Sequence, residues 1–247
     1  MLYKERNEIR HGRKLSVSNP ELIWGWATPA GKVRAKRRAA MIINGGHLQS
    51  EKKILEIGCG TGLFTEMFAS SRCQIIAVDI SQELLEKAKK RNLPKNQVRF
   101  LAKSFELCAD DESFDAIIGS SILHHLDIDS ALTQIFNLLK PGGYTCFAEP
   151  NMLNPQIFIQ KKIPIIKKWM GDSPDETAFR ASQIRKKMRL SFFTEINIIP
   201  FDWLHPATPS LMIPVVEQIG FILEKIPVIK EFAGSLLIMG RRPKVHV

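Results

Sequence analysis

Short apolar runs alternate with amphipathic stretches through the middle of the chain. The runs at 53–58 (KILEIG) and 74–80 (QIIAVDI) have the length and continuous apolar character of buried strands. After them, stretches such as 81–92 (SQELLEKAKKRN) repeat their apolar residues at helical spacing. Because strands that alternate with helices form parallel sheets covered on both faces, the pattern predicts an α/β fold with a doubly wound, mostly parallel sheet.

Seven strands and several more helices are predicted in all. The remaining strands are predicted at 97–104, 114–121, 144–150, 192–201 and 234–242. The remaining helices of the core and its inserts are predicted at 64–70, 129–140, 173–190 and within 208–229. The third of these segments should begin on a capping box of Ser173 and Glu176, and the second should stop at Pro141.

A further helix is predicted ahead of the first strand, within residues 1–49. Thr28 is placed as its N-cap and Pro29 at its first position, and Gly45 and Gly46 close it. Lysines and arginines give this helix a basic face. We interpret the segment as an N-terminal helical arm packed ahead of a core that spans residues 50–150.

Two apolar and basic inserts break the alternation in the last part of the chain, residues 151–247. They cover 151–172 and 206–233, and Pro155 and Pro164 prevent the first from forming one long helix. Over the strand ends, such inserts would form a lid with a hydrophobic pocket for an acceptor. They could also rest on an anionic membrane surface with their lysines toward the headgroups, or simply pack on the core.

The chain is basic, because it has more lysines and arginines than acidic residues. The 247 residues include 35 Lys and Arg against 25 Asp and Glu, a net charge of +10. Such an excess favours anionic lipid, nucleic acid or phosphorylated substrates, or it forms a solvated surface. The first 14 residues are too charged for a signal peptide, and no run of about 18 apolar residues predicts a membrane span. Four cysteines without CxxC spacing predict buried thiols, no metal site and a cytoplasmic location.

The glycine-rich turn after the first strand predicts a ligand other than a dinucleotide. Gly58, Gly60 and Gly62 occupy positions i, i+2 and i+4, whereas a dinucleotide fingerprint needs its third glycine at i+5, where this chain has Leu63. Glu56 precedes the glycines and suits an ammonium group better than a pyrophosphate. A Tyr-xxx-Lys pair is also missing, so an NAD-dependent reductase is disfavoured.

Asp79 ends the second strand, 21 residues after the first glycine. An acidic residue at about this separation accepts hydrogen bonds from both hydroxyls of a ribose. The alternative is that Asp79 only caps the following helix. With the glycine turn, the spacing indicates a site for an adenosine-like ribose that carries a tail without phosphate.

Four segments in order carry a family resemblance: LEIGCGTGLFT, AVDIS, FDAIIGSSILHHL and LLKPGGYTCFAEP. Together they resemble the class I S-adenosylmethionine (SAM)-dependent methyltransferases, and most closely the small-molecule group that includes the ubiquinone and menaquinone methyltransferases. The resemblance covers roughly residues 50–150. It implies a Rossmann-like methyltransferase fold, SAM as cofactor and an enzyme that transfers a methyl group.

The resemblance also implies which residues hold the cofactor: Glu56, Gly58, Gly60, Gly62, Asp79, Ile80, Ser104, Phe105 and Ser120. The glycines would let the loop backbone pass under the methionine part of SAM, and Glu56 would face its ammonium through water. Asp79 would hold the ribose, and Ile80 would pack on the adenine. Where the family often has an acidic residue after the third strand, this chain has Ser104 and Phe105, so one partner of the adenine amino group is missing.

Methyl transfer needs a general base only if the acceptor is a hydroxyl or an acidic carbon that is not yet ionised. His125 and His205 are the candidate catalytic residues, and His125 matches a position where the family often has a histidine. Fixing the loop is the alternative role for His125. His124, Glu149 and Asp202 are further candidates, because each lies near a predicted strand end.

The acceptor is predicted to be small and lipophilic. The segment GSSILHH lacks the Asn-Pro-Pro-Tyr and Pro-Cys motifs typical of nucleic-acid methyltransferases, which makes nucleic acid less favoured. The apolar inserts suit a lipid or a prenylated ring and allow peripheral contact with an anionic membrane. The alternative function is a non-catalytic module of the same fold that binds a protein or nucleic-acid partner through its basic surface.

Overall fold

In the computed structural model, which describes residue 12 and residues 17–108, 113–163 and 177–244, the strands form one sheet. Its seven strands are β1 (Lys53–Ile57), β2 (Gln74–Asp79), β3 (Val98–Ala102), β4 (Phe114–Ser120), β5 (Leu139–Pro150), β6 (Thr194–Phe201) and β7 (Ser235–Arg241). Their order is β3-β2-β1-β4-β5-β7-β6. The first five strands pair in parallel, and β7 runs antiparallel to both of its neighbours. The predicted fold class is confirmed.

Helices cover both faces of the sheet. The α-helices are α1 (Pro20–Ile23), α2 (Pro29–Gly45), α3 (Leu63–Ala69), α4 (Gln82–Lys89), α5 (Ile128–Leu138), α6 (Pro155–Lys162), α7 (Ala181–Leu190) and α8 (Ile213–Leu223). In the α2 helix the Thr28 hydroxyl accepts the N–H of Gly31, and Pro29 occupies the first position, as predicted. Among the described residues, no helix combines the length and the apolar character needed to cross a bilayer.

Two predicted helix boundaries were wrong. The helix predicted from Ser173 begins at Ala181, because Phe179 pairs with Asn151 in an isolated parallel bridge that keeps the chain extended. Ser173 and Glu176 themselves lie outside the described residues. The other helix ends three residues before Pro141, at Leu138.

The α2 helix packs on the sheet, not ahead of it. Its small and apolar residues Ala35, Ala39 and Ile42 are buried in the core on one face of the sheet, together with residues of β1, β2 and β5. The opposite face is covered by α5 and α7. The predicted basic face is therefore only partly solvated, because Arg34, Arg37 and Arg38 turn toward the protein. Arg38 is itself buried.

Three of the four cysteines are buried: Cys59, Cys73 and Cys146. Cys108 is half-buried, and all four are free thiols. Burial raises the pKa of the thiols of Cys59 and Cys73 above its usual value. The prediction of buried free thiols is confirmed for the three.

Candidate cofactor and acceptor site

A cavity of about 880 Å³ opens at the carboxyl ends of the strands, the usual position for ligands of open α/β sheets. One side is formed by the glycine loop after β1, the end of β2 and the segment after β3. The other side is formed by α6 and by residues 202–207. Of the nine residues expected to hold the cofactor, this cavity is lined by Gly58, Gly60, Asp79, Ile80, Ser104, Phe105 and Ser120.

The glycine loop has no side chains at Gly58 and Gly60, and the backbone conformation of these two residues explains why. Gly58 and Gly60 have φ of +68° and +52°, which favours glycine. A Cβ on Gly58 would also lie 2.5 Å from the side chain of Ile122. Gly62 does not line the cavity: it is the N-cap of α3 with φ of +74°, and a Cβ there would press on Ala88 of α4 at 3.0 Å. Gly62 thus allows the close packing of α3 against α4 and does not face the cavity.

Asp79 links the end of β2 to the glycine loop. Its Oδ2 accepts the backbone N–H of Gly60 at 2.7 Å, and its Oδ1 accepts the N–H of Ser81 at 2.8 Å. Ser81 caps α4 with its own hydroxyl, so Asp79 also supports the start of that helix. An ionised carboxylate offers about four acceptor positions, so both bonds are compatible with the additional donors of a ribose.

Glu56 is buried on β1 and is not among the described residues that line the cavity. Burial raises the pKa of its carboxyl group to about 8, a value that already includes the opposing hydrogen bond of Thr65 and a smaller upward contribution from the charge of Asp79. Its Oε2 has no hydrogen-bond partner of good geometry among the described residues. A cation bound at the loop would stabilise the ionised form, which fits the expected ammonium of SAM.

We expect the pKa of Glu56 to make the stability of the protein depend on pH. Between the ordinary glutamate pKa of 4.5 and the folded value of about 8, the folded state keeps a proton that the unfolded state has released. Stability therefore falls as pH rises through this window, by up to about 1.4 kcal/mol per pH unit. Urea unfolding at several pH values should show Glu56→Gln gaining on the wild type as pH rises. A pH-independent difference between the two proteins would contradict this.

The structure supplies an acidic residue that the sequence interpretation missed after β3. Glu106 lies on the cavity wall, and its carboxylate accepts a hydrogen bond from the hydroxyl of Ser104. Phe105 between them belongs to the core and also lines the same cavity. The short 3₁₀ turn at 105–107 brings Glu106 to this position, two residues later than the family pattern. The cavity wall after β3 therefore carries a carboxylate after all, two positions later than the resemblance implied.

Replacing Glu106 with Ala should cost affinity only for a ligand that carries the adenine amino group. We expect S-adenosylhomocysteine (SAH) to bind about tenfold more weakly, because a hydrogen bond to a charged acceptor contributes roughly 1.5–3 kcal/mol. S-inosylhomocysteine, which has a carbonyl there, should not lose affinity. Calorimetry with both ligands checks this, with Glu106→Gln as the variant that keeps an acceptor. An equal loss of affinity for both ligands would contradict a hydrogen bond between Glu106 and the adenine amino group.

The segment before α2 covers the glycine loop. Trp24 lies 3.5 Å from the position a Cβ would take on Gly60, and Trp26 packs edge-to-face on Phe64 at 5.3 Å. Glu21 accepts a hydrogen bond from the hydroxyl of Thr61 at 2.8 Å. Both tryptophans line the cavity, so this segment forms part of the site as well as part of the core.

Glu149 and His124 engage each other beneath the loop after β4. Nδ1 of His124 lies 2.6 Å from Oε2 of Glu149, and Oε1 accepts the backbone N–H groups of Ile122 and Leu123 at 2.9 Å each. The pKa of Glu149 is lowered: burial alone would raise it, but the charge and hydrogen bond of His124 and the two backbone donors outweigh it. This arrangement holds the loop in place.

The three other candidate bases have different surroundings. Asp202 is buried and accepts three hydrogen bonds from Arg34: Nη2 and Nε donate to Oδ2 at 2.7 and 2.9 Å, and Nε also donates to Oδ1 at 3.2 Å. An ion pair therefore occupies both oxygens of its carboxylate. His205 is exposed at the cavity, where its Nδ1 accepts the N–H of Ala207 at 3.1 Å. Partial burial, then Arg34, lowers the pKa of His205. His125 lines the cavity with its ring 4.2 Å from that of His124.

Comparison with known proteins identifies the family. A model described as a methyltransferase domain matches residues 55–147. A ubiquinone biosynthesis O-methyltransferase of Pelagibacter ubique is 32% identical over 61% of this chain and 68% of its own length. A demethylmenaquinone methyltransferase of Clavibacter sepedonicus is 31% identical over 55% of this chain and 50% of its own. The chain belongs to the class I SAM-dependent methyltransferases, and the predictions of the family and of SAM as its cofactor are confirmed.

Solved structures support the same fold. The N-methyltransferase NodS of Bradyrhizobium japonicum, in complex with SAH, superposes with a TM-score of 0.64 at 16% identity, over 96% of this chain and 100% of that one. By contrast, the chain spans only about half the length of several curated relatives that it matches, such as 45% and 51%. The substrates of those relatives are therefore not assigned to this chain by the comparison.

Proposed function

We propose that this protein transfers the methyl group of SAM to a small, lipophilic acceptor. The observation that carries the proposal is the continuity of the cavity, which runs from Gly60 and Asp79 to α6 and the segment 202–207. One end thus has the residues expected to hold a cofactor. The other end is built from elements of the two apolar inserts, where an acceptor would enter.

In methyl transfer the main task of the protein is to align the donor and the acceptor. SAM, when bound, carries its methyl group on a sulfonium and so supplies the activation for an in-line displacement. The chain orients both reactants and excludes water, and orientation alone can contribute several kcal/mol of the barrier. In this proposal the glycine loop and Asp79 fix the donor, while Ile157 and Trp203 line the acceptor end.

Two histidines are proposed as candidate bases for an acceptor that must lose a proton. The lowered pKa of His205 favours the neutral imidazole that a base requires, and the residue lines the acceptor end of the cavity, where its Nε2 lies 2.9 Å from the side-chain nitrogen of Gln156. His125 lies closer to the end of β4 and shares the wall with Ser120. A role in holding the loop remains the alternative for His125, since its ring packs on that of His124.

The outer surface of the second insert supports a lipophilic acceptor that is drawn from a membrane. Five exposed apolar residues follow one another at helical spacing in and around α8: Leu211, Val215, Ile219, Ile222 and Ile226. We name them the apolar stripe. Lys225 is exposed beside the stripe and Lys230 is half-buried. An apolar face of this kind with nearby lysines suits the surface of an anionic bilayer.

Sedimentation with lipid vesicles tests the membrane contact. The protein should pellet with vesicles that contain phosphatidylglycerol and much less with vesicles of phosphatidylcholine alone. Ile219→Glu should reduce pelleting strongly, whereas Gln218→Glu adds the same charge beside the stripe without removing an apolar side chain. Wild-type protein that stays in the supernatant with both vesicles would contradict this part of the proposal.

Transfer itself is tested with SAM that carries a radioactive methyl group. The protein is incubated with separate panels of aromatic and lipid acceptors bearing hydroxyl or amino groups, of peptides and of RNA. The proposal expects label in the organic extract of the first panel. Label confined to peptide or RNA would contradict the acceptor class, and no label in any panel would count against transfer.

The alternative of a non-catalytic module finds no support in the comparisons or in the surface of α2. Arg34 and Arg37, which such a module would offer to a partner, form bidentate ion pairs with Asp202 and Glu224. Those charges are already compensated within the protein. The remaining basic surface is compatible with the membrane contact proposed above.

A further inference from the structure

Arg91 connects three elements at the cofactor end of the molecule. It lies just after α4, and its Nε donates a hydrogen bond to the backbone carbonyl of Thr61 in the glycine loop at 2.7 Å. Its two amino groups form ion pairs with Glu66 of α3 and with Glu21 of α1. Glu21 also accepts a hydrogen bond from the hydroxyl of Thr61 at 2.8 Å. Through Arg91 and Glu21, the glycine loop is therefore joined to the segment that precedes α2.

Arg91 and Glu21 support the site without facing it. Neither is among the described residues that line the cavity, whereas Thr61, which both of them contact, does line it. A Cβ on Gly62 would lie 3.2 Å from Cδ of Arg91, so the arginine side chain packs directly against the loop. The side chains of Arg91 and Glu21 are only 19% and 25% exposed. An ion pair that is partly shielded from water is stronger than one on the open surface.

Residues 19–24, which we name the covering segment, lie over the glycine loop. Trp24 comes within 3.5 Å of the position that a Cβ would take on Gly60. Leu22 and Ile23 are exposed, and both line the cavity together with the glycine loop. The covering segment therefore forms part of the wall at the cofactor end of the cavity.

The carboxylate of Glu21 is the charged group that attaches this segment. Glu21 is the only charged residue between positions 17 and 27, so any ion pair of the covering segment must use it. The chain after the segment is held separately, because the hydroxyl of Thr28 donates a hydrogen bond to the carbonyl of Pro206 at 2.8 Å. A movement of the covering segment away from the loop would thus break the pair of Glu21 with Arg91 and leave the start of α2 in place.

We propose that Arg91 and Glu21 are positioning residues that hold the covering segment against the glycine loop and thereby slow the exchange of SAM and SAH. SAH is what remains of SAM after the methyl group has been transferred, so it must leave before the next SAM can bind. Release of a product past a segment that must open limits turnover in many enzymes. The inference rests on the proposed function for the need to exchange SAH, and it does not depend on which acceptor is methylated.

This role predicts a distinct kinetic behaviour. A contact that restrains the segment both before and after the cofactor binds slows association and dissociation alike and leaves the affinity nearly unchanged. A contact that only shapes the occupied site slows dissociation alone and so raises the affinity. We expect the pair of Glu21 and Arg91 to show the first behaviour. Because salt screens a partly exposed ion pair, exchange should also become faster as the ionic strength rises.

The test measures the association and dissociation rates of SAH by surface plasmon resonance over the immobilised full chain. Glu21→Gln removes one charge of the pair and should raise both rates roughly five- to tenfold, while Kd changes by less than about threefold. High salt should speed exchange in the wild type and have much less effect in this variant.

Glu66→Gln is the matched control. It removes the other carboxylate that pairs with Arg91, but Glu66 belongs to α3 and lies outside the covering segment. Both rates should therefore stay within about twofold of the wild type. If Glu21→Gln fails to fold, Arg91→Lys replaces it: lysine keeps the charge but loses the planar fork that joins Glu21 to Thr61, and both rates should rise.

Three results would overturn the inference. The first is a Glu21→Gln variant whose rates equal those of the wild type. The second is faster dissociation with unchanged association, which would mean that the pair only shapes the occupied site. The third is an equal response to Glu21→Gln and Glu66→Gln, which would assign the effect to the loop and not to the covering segment.

Failure of this inference can be told apart from failure of the proposed function. SAH that binds the wild type with rates independent of the ion pair would overturn the role of Glu21 and Arg91 alone, and methyl transfer would stand. A wild-type chain that does not bind SAH at all would overturn this inference together with the proposed function.

Discussion

Replacing Asp79 with Ala is expected to weaken SAH binding about a hundredfold or more. Hydrogen bonds from ribose hydroxyls to a carboxylate contribute roughly 1.5–3 kcal/mol each, and the variant loses two of them. It also releases the N–H of Gly60, which Asp79 now holds at 2.7 Å, so the glycine loop loses part of its preorganisation. Calorimetric titration of the variant with SAH measures the loss directly.

Two further variants show whether the carboxylate itself is responsible. Asp79→Asn keeps one acceptor oxygen and should lie between the wild type and the Ala variant. Glu195→Ala removes an exposed acid that pairs with Arg241 and does not line the cavity, and it should leave SAH affinity unchanged. Unchanged affinity in Asp79→Ala would mean that Asp79 only supports the start of α4 and that the ribose is held elsewhere.

Replacing Glu149 with Ala should cause the largest loss of stability among the site variants. The change leaves two backbone donors and the imidazole of His124 without their buried carboxylate. Breaking one partner of a buried pair costs about 3–5 kcal/mol. In a chain of this size that corresponds to a fall of roughly 10 °C or more in Tm, measured by thermal unfolding.

The pH dependence of this loss has a definite sign. Because the pKa of Glu149 is lowered in the folded state, its contribution is complete above the unfolded pKa and is lost as pH falls through the folded value. The gap between wild type and variant should therefore shrink in acid. Glu86→Ala, which removes an exposed partner of Lys89, is the control and should change Tm little. A Glu149→Ala variant as stable as this control would contradict the account.

The sequence predicted best those elements that local patterns determine. The α2 helix begins after Thr28 and ends at Gly45 as predicted, because its cap and its closing glycine act within one turn. The buried strands followed from continuous apolar runs. The helix predicted to run without a break to Leu190 does not include residues 177–180, because Phe179 forms a bridge with Asn151, 28 positions away in the chain.

The site was predictable where its residues adjoin a strand end and not where packing assembles it. Gly58 follows β1, and Asp79 and Ser120 end β2 and β4; the carboxyl ends of these parallel strands meet at one edge of the sheet. Arg38 donates hydrogen bonds to the hydroxyls of Ser120 and Ser235. These serines lie 82 and 197 positions further along the chain, and no spacing rule predicts such contacts. Glu106 was missed because it lies two positions after the place where the family often has its acidic residue, and only the 3₁₀ turn at 105–107 brings it to the cavity wall. A search of the residues following β3 for any carboxylate would have found it.

Direct binding of the cofactor tests the central claim most simply. SAM, SAH and NADH are titrated separately into the purified protein by calorimetry. The glycine spacing, Asp79 and the cavity that they line predict micromolar binding of SAM and SAH and no binding of NADH. Binding of NADH, or failure of both SAM and SAH to bind, would contradict the account.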